Sequence, residues 1–240
     1  MTVQKMVFSI RQACLPIISS SELFPIHRIY CIGRNYREHA IEMGHNPDRE
    51  PPFFFQKPAD AATTLNAIPF PPKKTSNNLH YEAELVVALG KKGRDIDTTE
   101  KAQDLIFGYS VGCDLTRRDL QAEAKRLSRP WCIAKGFDYS APMTPIVRKE
   151  EISKSITDRK IELWVNEELK QSSPLSQMIW DISEIIQYLS CYYTLQPGDL
   201  IMTGTPAGVG KLDVGDEVRI SCGEGLPECE FVMVEPLEDL

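Results

Sequence analysis

Two glutamates stand two positions apart in an otherwise apolar stretch, LHYEAELVVALG, which runs from Leu79 to Gly90. The pattern predicts a strand, and alternate residues of a strand point to the same face, so Glu82 and Glu84 are expected side by side. Two carboxylates on one buried face repel each other, and the repulsion is relieved by protonation, by a Lys or Arg partner, or by a divalent cation. The ordinary alternative is an edge strand whose charged face lies in water.

A third carboxylate follows the next apolar run of the chain. Asp114 comes at the end of LIFGYSVGCDL, a predicted strand at residues 105–115, and the ends of strands often present ligands. Together with Glu82 and Glu84 it would form an all-oxygen site of the kind that Mg²⁺, Mn²⁺ or Ca²⁺ prefers. We therefore predict a divalent metal site, with Mg²⁺ as the first choice and Mn²⁺ or Ca²⁺ as alternatives.

A histidine and a glutamate in the segment RNYREHAIEMG form a second candidate group. The spacing of Tyr36, Ala40 and Met43 predicts a helix that Gly44 ends. His39 and Glu42 are then neighbours on one helix face. A glutamate beside an imidazole fixes its tautomer and raises its basicity, which prepares the histidine to act as a general base. The structural alternative is an exposed helical pair with no role.

The glycine-rich stretch MTGTPAGVG, at residues 202–210, is a third candidate. It does not match a phosphate-binding loop, because Lys211 is followed by Leu212 where Ser or Thr is required. As structure alone, it predicts a tight turn between strands. As a binding element, Thr205 and the neighbouring backbone N–H groups could hold a substrate carboxylate.

Short strands dominate the elements that must position these residues. Strands are predicted at Arg28–Gly33 and Phe53–Phe55, and a hairpin at Ile161–Lys170 with Asn166 and Glu167 in its turn. The strand count and the absence of regular strand–helix alternation predict an α+β fold that is predominantly β.

Two helices complete the prediction. One follows Asp114 in TRRDLQAEAKRL, with Thr116 as its N-cap. The other is QMIWDISEIIQYLS, at residues 177–190, which carries an apolar stripe typical of a helix packed on a core. The residues of that stripe are Ile182, Ile185, Ile186 and Leu189.

Composition limits the possible partners and location. The net charge of −7 argues against a nucleic-acid surface, and no apolar run is long enough to span a membrane. The seven scattered cysteines contain no CxxC pair and fit reduced thiols better than a disulfide framework. We predict a cytoplasmic protein with no nucleic-acid and no membrane partner.

Taken in order, these motifs resemble those of the fumarylacetoacetate hydrolase family, and most closely its small acylpyruvate-cleaving branch. The matching blocks are IYCIGRNYREHAIEMG, PPFFFQKPADA, HYEAELVVALG, GYSVGCDLTRRDLQ, RPWCIAKGFDYSAPM and LQPGDLIMTGTPAGVG. The resemblance implies a β-sandwich roll with a few flanking helices, usually a homodimer. It divides the chain into a short N-terminal extension, residues 1–25, and a catalytic domain, residues 26–240.

The resemblance also implies a role for individual residues. Glu82, Glu84 and Asp114 match the family's metal ligands. The catalytic residues it implies are His39, Glu42 and Lys135, the first two as a water-activating dyad. The substrate contacts it implies are Arg34, Tyr36, Arg118, Gln121 and Thr205.

The activity implied is metal-dependent hydrolysis of the carbon–carbon bond of an acylpyruvate in aromatic catabolism, with 3-fumarylpyruvate as the first expected substrate. Decarboxylation of oxaloacetate, or tautomerisation of a 2-oxo acid, uses the same carboxylates and stays open. The partner is in each case a small diketo acid or 2-oxo acid. A metal-dependent binding module without turnover is disfavoured, because it needs neither Lys135 nor the His39–Glu42 dyad.

Overall fold

Strands form most of the regular structure in the computed structural model, which describes residues 6–42, 44 and 50–237. Sheet accounts for 37% and helix for 21%, which confirms the predicted predominantly β, α+β class. The strands are β1 (Cys14–Pro16), β2 (Leu23–Pro25), β3 (Arg28–Gly33), β4 (Phe53–Lys57), β5 (Ala62–Thr63), β6 (Ala67–Pro69), β7 (Leu79–Tyr81), β8 (Ala83–Leu89), β9 (Ile106–Cys113), β10 (Thr116–Arg117), β11 (Ala141–Pro142), β12 (Val147–Arg148), β13 (Lys160–Val165), β14 (Glu168–Pro174), β15 (Asp199–Met202), β16 (Gly210–Leu212), β17 (Glu217–Ser221) and β18 (Cys229–Val234). The α-helices are α1 (Arg37–Glu42), α2 (Thr99–Asp104), α3 (Arg118–Arg126), α4 (Cys132–Lys135) and α5 (Ile182–Tyr192).

Two large sheets pack face to face. The six-stranded sheet has the order β12-β9-β8-β15-β3-β4, and the five-stranded sheet has the order β14-β13-β17-β18-β6. Strand β13 contacts β8, while β17 and β18 contact β9, so the two sheets share one core. A small sheet of order β10-β7-β16 adjoins them.

The central strand β8 is buried on both faces. Leu85 and Val87 belong to the core between the two large sheets. Val86 and Ala88 belong to a second core on the opposite face. A strand covered on both sides needs no polar face, which explains the continuous apolar run and excludes the exposed edge strand.

The predicted strand from Leu79 to Gly90 is interrupted at Glu82. Strand β7 pairs with β10 and β16 in the small sheet, whereas β8 pairs with β9 and β15 in the six-stranded sheet. The chain therefore passes from one sheet to another at this residue. The backbone N–H of Asp114 donates to the carbonyl of Glu82 across the junction, at 2.8 Å.

Several local predictions are confirmed. Strand β3 has the predicted bounds, and Gly44 lies just after α1 with φ of 75°. The hairpin of β13 and β14 turns at Asn166 and Glu167, both left-handed with φ of 51° and 65°. This is the backbone that a two-residue hairpin turn requires.

Two helix starts differ from the prediction. Thr116 is not an N-cap: it lies in β10, its hydroxyl donates to the carbonyl of Asp114 at 3.0 Å, and α3 begins at Arg118. Helix α5 begins at Ile182 and not at residue 177, because Asp181 and Glu184 form a capping box there. The predicted apolar stripe of α5 is buried, as expected.

The predicted boundary at residue 25 stays a prediction. Leu15 and Phe24, from the proposed extension, lie in the same core cluster as Ile29 and Leu200. Within the described part of the chain, no helix is both long and apolar enough to cross a membrane.

Candidate active site

Three carboxylates converge where the small sheet, which contains β7, meets the six-stranded sheet, which contains β8 and β9. Strands β8 and β9 are antiparallel neighbours with Ala83 opposite Cys113, so Asp114, just after β9, lies across from Glu82. One oxygen each from Glu82, Glu84 and Asp114 lies within 4.8 Å of the others. Their exposures are 5%, 2% and 0%, so the trio is removed from water. The structure brings the predicted metal ligands together.

Glu82 is held by two cations. Arg118 Nη2 lies 2.5 Å from its Oε1, and Lys135 Nζ lies 2.8 Å from its Oε2. Burial raises the pKa of the Glu82 carboxyl, but Lys135 and Arg118 outweigh burial and hold that pKa below its ordinary value. Glu82 is therefore a carboxylate at neutral pH.

Asp114 is likewise paired with two lysines. Lys135 Nζ lies 2.6 Å from its Oδ2, and Lys57 Nζ lies 2.8 Å from its Oδ1. Lys57 also donates to the carbonyls of Leu115 and Lys135. The sequence analysis missed Lys57, although a lysine at the end of the strand FFFQK was a signal for a buried charge.

Glu84 differs from the other two carboxylates. Among the described residues it forms no ion pair, and its side chain accepts a hydrogen bond from the backbone N–H of Gly204 at 2.7 Å. Burial, and then the charges of Asp114 and Glu82, raise the pKa of Glu84 well above its ordinary value. A hard divalent cation would supply the missing positive charge, and three carboxylate oxygens are the donors that such a cation prefers. The trio fits a divalent metal.

His39 and Glu42 form the predicted pair. His39 Nδ1 lies 3.1 Å from Glu42 Oε2, and the backbone N–H of Gly208 donates to both oxygens of Glu42, at 3.1 and 3.2 Å. Gly208 has φ of 95°, and a Cβ there would lie 2.1 Å from the carbonyl oxygen of Lys170, so only glycine fits. His39 is only 7% exposed, whereas Glu42 is exposed, so the histidine of the pair is buried and its glutamate is not.

The glycine-rich turn at residues 202–210 binds side chains of the protein itself, where a substrate carboxylate was expected. Its backbone N–H groups at Gly204 and Gly208 bind the protein's own Glu84 and Glu42, so they are not a nest for a substrate carboxylate. The Thr205 hydroxyl oxygen accepts a hydrogen bond from Gln171 Nε2 at 2.9 Å, which leaves its proton available to a ligand.

Gln171 was not predicted from the sequence. Its side-chain oxygen accepts from the backbone N–H of Ala83 at 2.9 Å, and its amide group also donates to the carbonyl of Pro206 at 2.8 Å. The residue lies on β14 of the five-stranded sheet, so it joins that sheet to the start of β8 and to Thr205. Nothing in the strand pattern of β14 distinguishes it.

One cavity contains most of these side chains. Its wall includes most of the predicted site residues, together with Phe53, Phe55, Lys125 and Trp131, which the sequence analysis missed. The residues that line it are Ile32, Gly33, Arg34, His39, Phe53, Phe55, Glu82, Glu84, Asp114, Arg118, Gln121, Lys125, Trp131, Lys135 and Thr205.

Two predicted site residues do not line the cavity. Glu42 reaches it only through His39. Tyr36 is 2% exposed and belongs to the hydrophobic core, where burial raises the pKa of its hydroxyl. This placement does not support the predicted substrate contact of Tyr36.

Known proteins resemble this chain over most of its length. The sequence model described as "Fumarylacetoacetate (FAA) hydrolase C-terminal" matches residues 28–234. A crystal structure of fumarylpyruvate hydrolase from Pseudomonas aeruginosa, in complex with Mn²⁺ and pyruvate, is similar with a TM-score of 0.90 and 42% identity. The similarity covers 96% of this chain and 100% of that chain.

Relatives with other activities in their names are similar to this chain to about the same degree. The mitochondrial oxaloacetate decarboxylase of Dictyostelium discoideum is 41% identical over 198 residues, which is 82% of this chain and 88% of that protein. The mitochondrial oxaloacetate tautomerase FAHD1 of Homo sapiens is 40% identical over 210 residues, which is 87% of this chain and 92% of that protein.

Proposed function

The chain belongs to the fumarylacetoacetate hydrolase family, and from this membership we propose that it is a metal-dependent hydrolase of acylpyruvates. The proposed substrate is 3-fumarylpyruvate, and the products are fumarate and pyruvate. The observation that carries the proposal is the similarity, over nearly the whole of both chains, to a fumarylpyruvate hydrolase bound to Mn²⁺ and pyruvate. The buried trio, in which Glu84 forms no ion pair with any described residue, supports the metal requirement.

The trio and its neighbours bind the oxo acid end of the substrate. Glu82, Glu84 and Asp114 would hold Mg²⁺ or Mn²⁺, which when bound supplies a Lewis acid for negative charge on the pyruvyl oxygens. Lys135 adds a fixed positive charge beside the same position. Arg118, Gln121 and Thr205 line the cavity there and are the proposed donors to the substrate.

The dyad prepares the attacking water. His39, through the ring nitrogen that does not contact Glu42, takes a proton from water, and Glu42 stabilises the imidazolium. The resulting hydroxide adds to the carbonyl carbon of the fumaryl group. The bond from that carbon to the neighbouring methylene then breaks, and the methylene receives the proton. One water is consumed, and fumarate and pyruvate are released.

A second function is favoured by the named relatives. The similarity to an oxaloacetate decarboxylase and an oxaloacetate tautomerase supports oxaloacetate as an alternative substrate of the same trio. Neither reaction needs an attacking water. His39, which lines the cavity and contacts Glu42 behind it, therefore favours hydrolysis.

The proposal is tested by steady-state rates on fumarylpyruvate and oxaloacetate with Mn²⁺ or Mg²⁺, and then with a chelator. We expect metal-dependent loss of the diketo-acid absorbance, with fumarate and pyruvate formed in equal amounts. A higher kcat/KM for oxaloacetate, or fumarylpyruvate loss without fumarate, would overturn hydrolysis as the main activity.

Two further expectations belong to this proposal. A cytoplasmic location and a homodimer remain predictions, and two of the relatives are named as mitochondrial proteins. Cell fractionation and light scattering of the purified protein test them directly.

A further inference from the structure

Two cations in the cavity wall have no partner of opposite charge among the residues that the structure describes. Arg34 and Lys125 both line the cavity, and within residues 6–42, 44 and 50–237 neither forms an ion pair. Arg118 and Lys135, which line the same cavity, are paired instead, since they contact Glu82 at 2.5 and 2.8 Å. The cavity therefore holds positive charge that no described carboxylate neutralises.

Aromatic rings fix the position of these two cations. The Arg34 guanidinium carbon lies 5.3 Å from the centre of the Phe53 ring, and Lys125 Nζ lies 5.2 Å from that of Trp131. The two rings contact each other edge to face at 5.6 Å. A cation on an aromatic face is held in place but keeps its charge, so both groups remain able to bind an anion.

The backbone also directs both residues to this wall. Arg34 is left-handed, with φ of 57°, a conformation that a non-glycine residue keeps only when its surroundings enforce it. The buried amide of the next residue, Asn35, does so through its hydrogen bond to the carbonyl of Thr203 at 2.8 Å. Lys125 follows Gln121 by four positions on α3, so both lie on the helix face that lines the cavity.

Neighbouring positive charges disfavour the protonated form of Lys125. Burial, followed by the charges of Arg118 and Arg34, lowers the pKa of the Lys125 ammonium. An anion bound between Arg34 and Lys125 would reduce this repulsion. The site thus favours a ligand that brings a negative charge to this end of the cavity.

We propose that Arg34 and Lys125 form a second anion subsite, which binds the carboxylate at the far end of a dicarboxylic 2-oxo acid. The other end of the same ligand then faces the carboxylate trio. This inference rests on the proposed function, because it narrows the substrate class to dicarboxylic acylpyruvates, such as fumarylpyruvate, over monocarboxylic ones, such as acetylpyruvate.

The subsite is tested by equilibrium binding, which requires no turnover. The probes are 2-oxoheptanedioate, which has the chain length of fumarylpyruvate, and 2-oxoheptanoate, which lacks the far carboxylate; neither has the second ketone needed for cleavage. With the Mn²⁺-loaded protein, calorimetry should show the diacid binding about 10- to 100-fold more tightly, as expected for a charge-assisted contact.

Substitutions of Lys125 and Arg34 test whether these two cations cause the tighter binding of the diacid. Lys125→Met should abolish most of the preference while changing the affinity for the monoacid by less than about twofold, and Lys125→Arg should retain it. Arg34→Gln is a second variant that should also reduce it. Arg126→Met removes the neighbouring exposed charge of the same helix and should leave the preference intact.

Two results would overturn the subsite: equal affinities of the wild-type protein for the two acids, or an equal loss of both affinities in Lys125→Met and Arg34→Gln. Absence of fumarylpyruvate hydrolysis, with the binding preference intact, would instead overturn the proposed function and leave the subsite standing.

Discussion

Two parts of the cavity wall differ in the sign of their charge: Glu82, Glu84 and Asp114 form the part called here the inner end, and Arg34 and Lys125 form the part called the other end. At the inner end, Glu84 is buried with two other carboxylates and, among the described residues, forms no ion pair. At the other end, Arg34 and Lys125 are held on aromatic rings, and no carboxylate in the described part of the chain forms an ion pair with them. A divalent cation bound at the inner end, together with a dicarboxylic ligand bound across both ends, would neutralise the charges of both groups of residues. This arrangement is the basis for the proposal that the cavity binds a divalent cation together with a dicarboxylic ligand.

The two ends also differ in how they are built. The carboxylates come from the junction of β7, β8 and β9, where sheet pairing fixes the backbone on both sides. The cations come from the turn after β3 and from a helix, and both are only partly buried. We expect substitutions at the inner end to affect the chemistry itself, and those at the other end to affect ligand choice.

The largest effect is expected from Glu84→Gln. Glutamine keeps the size and the hydrogen bond from Gly204 but removes the charge that a divalent cation requires. Since metal Lewis-acid catalysis supplies several kcal/mol, kcat with Mn²⁺ should fall by about 10³-fold or more. The control is Glu230→Gln, an exposed glutamate on β18. Retention of Mn²⁺-stimulated activity would show that the inner end holds no catalytic metal.

A smaller loss is expected from His39→Ala. Removing a general base should lower kcat on fumarylpyruvate by about 10²- to 10⁴-fold, while Mn²⁺ affinity is unchanged because the trio is intact. Stopped-flow absorbance measures the rate and calorimetry the metal affinity. Full activity would contradict the proton-transfer role, and lost Mn²⁺ affinity would mean that His39 belongs to the metal site.

Gln171→Leu tests whether the buried hydrogen bonds of Gln171 stabilise the backbone around the carboxylate trio. It leaves the N–H of Ala83 and the carbonyl of Pro206 without their buried partner, so the free energy of unfolding should fall by about 1–3 kcal/mol. Urea denaturation measures the change, and Gln177→Leu, at an exposed position, is the control. Equal stability of the two variants would show that Gln171 does not support the site.

The smallest perturbation is thiol labelling, which compares the two ends without altering their charges. Cys113 precedes Asp114, and burial raises the pKa of its thiol well above the ordinary value, so it stays protonated and unreactive as the pH rises from about 7 to 9. Cys132 follows Trp131 and is exposed. Mass spectrometry of the native protein should find a thiol reagent on Cys132, with Cys113 labelled only after denaturation. Early labelling of Cys113 would mean that the inner end opens to solvent.

Sequence periodicity was sufficient to predict the three carboxylates of the inner end. It was insufficient to predict the side chains that contact and support them. The two-residue spacing of Glu82 and Glu84 and the position of Asp114 after an apolar run predicted a common face, because local strand geometry fixes them. Lys57 contacts Asp114, and Gln171 contacts the backbone of Ala83 between the two glutamates; both come from strands distant in sequence, and only tertiary pairing brings them there.

The errors have equally specific causes. Thr116 has the residue type of an N-cap, but its hydroxyl bonds to the carbonyl of Asp114 and its backbone pairs with His80. The backbone N–H groups of the glycine-rich turn were expected to face a substrate and instead bind Glu84 and Glu42. Lys125 resembles any lysine of a helix surface until Trp131 is seen beside it.

The most direct test of the account is anomalous X-ray diffraction from crystals grown with Mn²⁺. We predict one anomalous peak bounded by Glu82, Glu84 and Asp114, with a carboxylate oxygen of each at about 2.0–2.6 Å. No peak there, or a peak that Glu84 does not contact, would contradict a divalent cation as the missing partner of the buried trio.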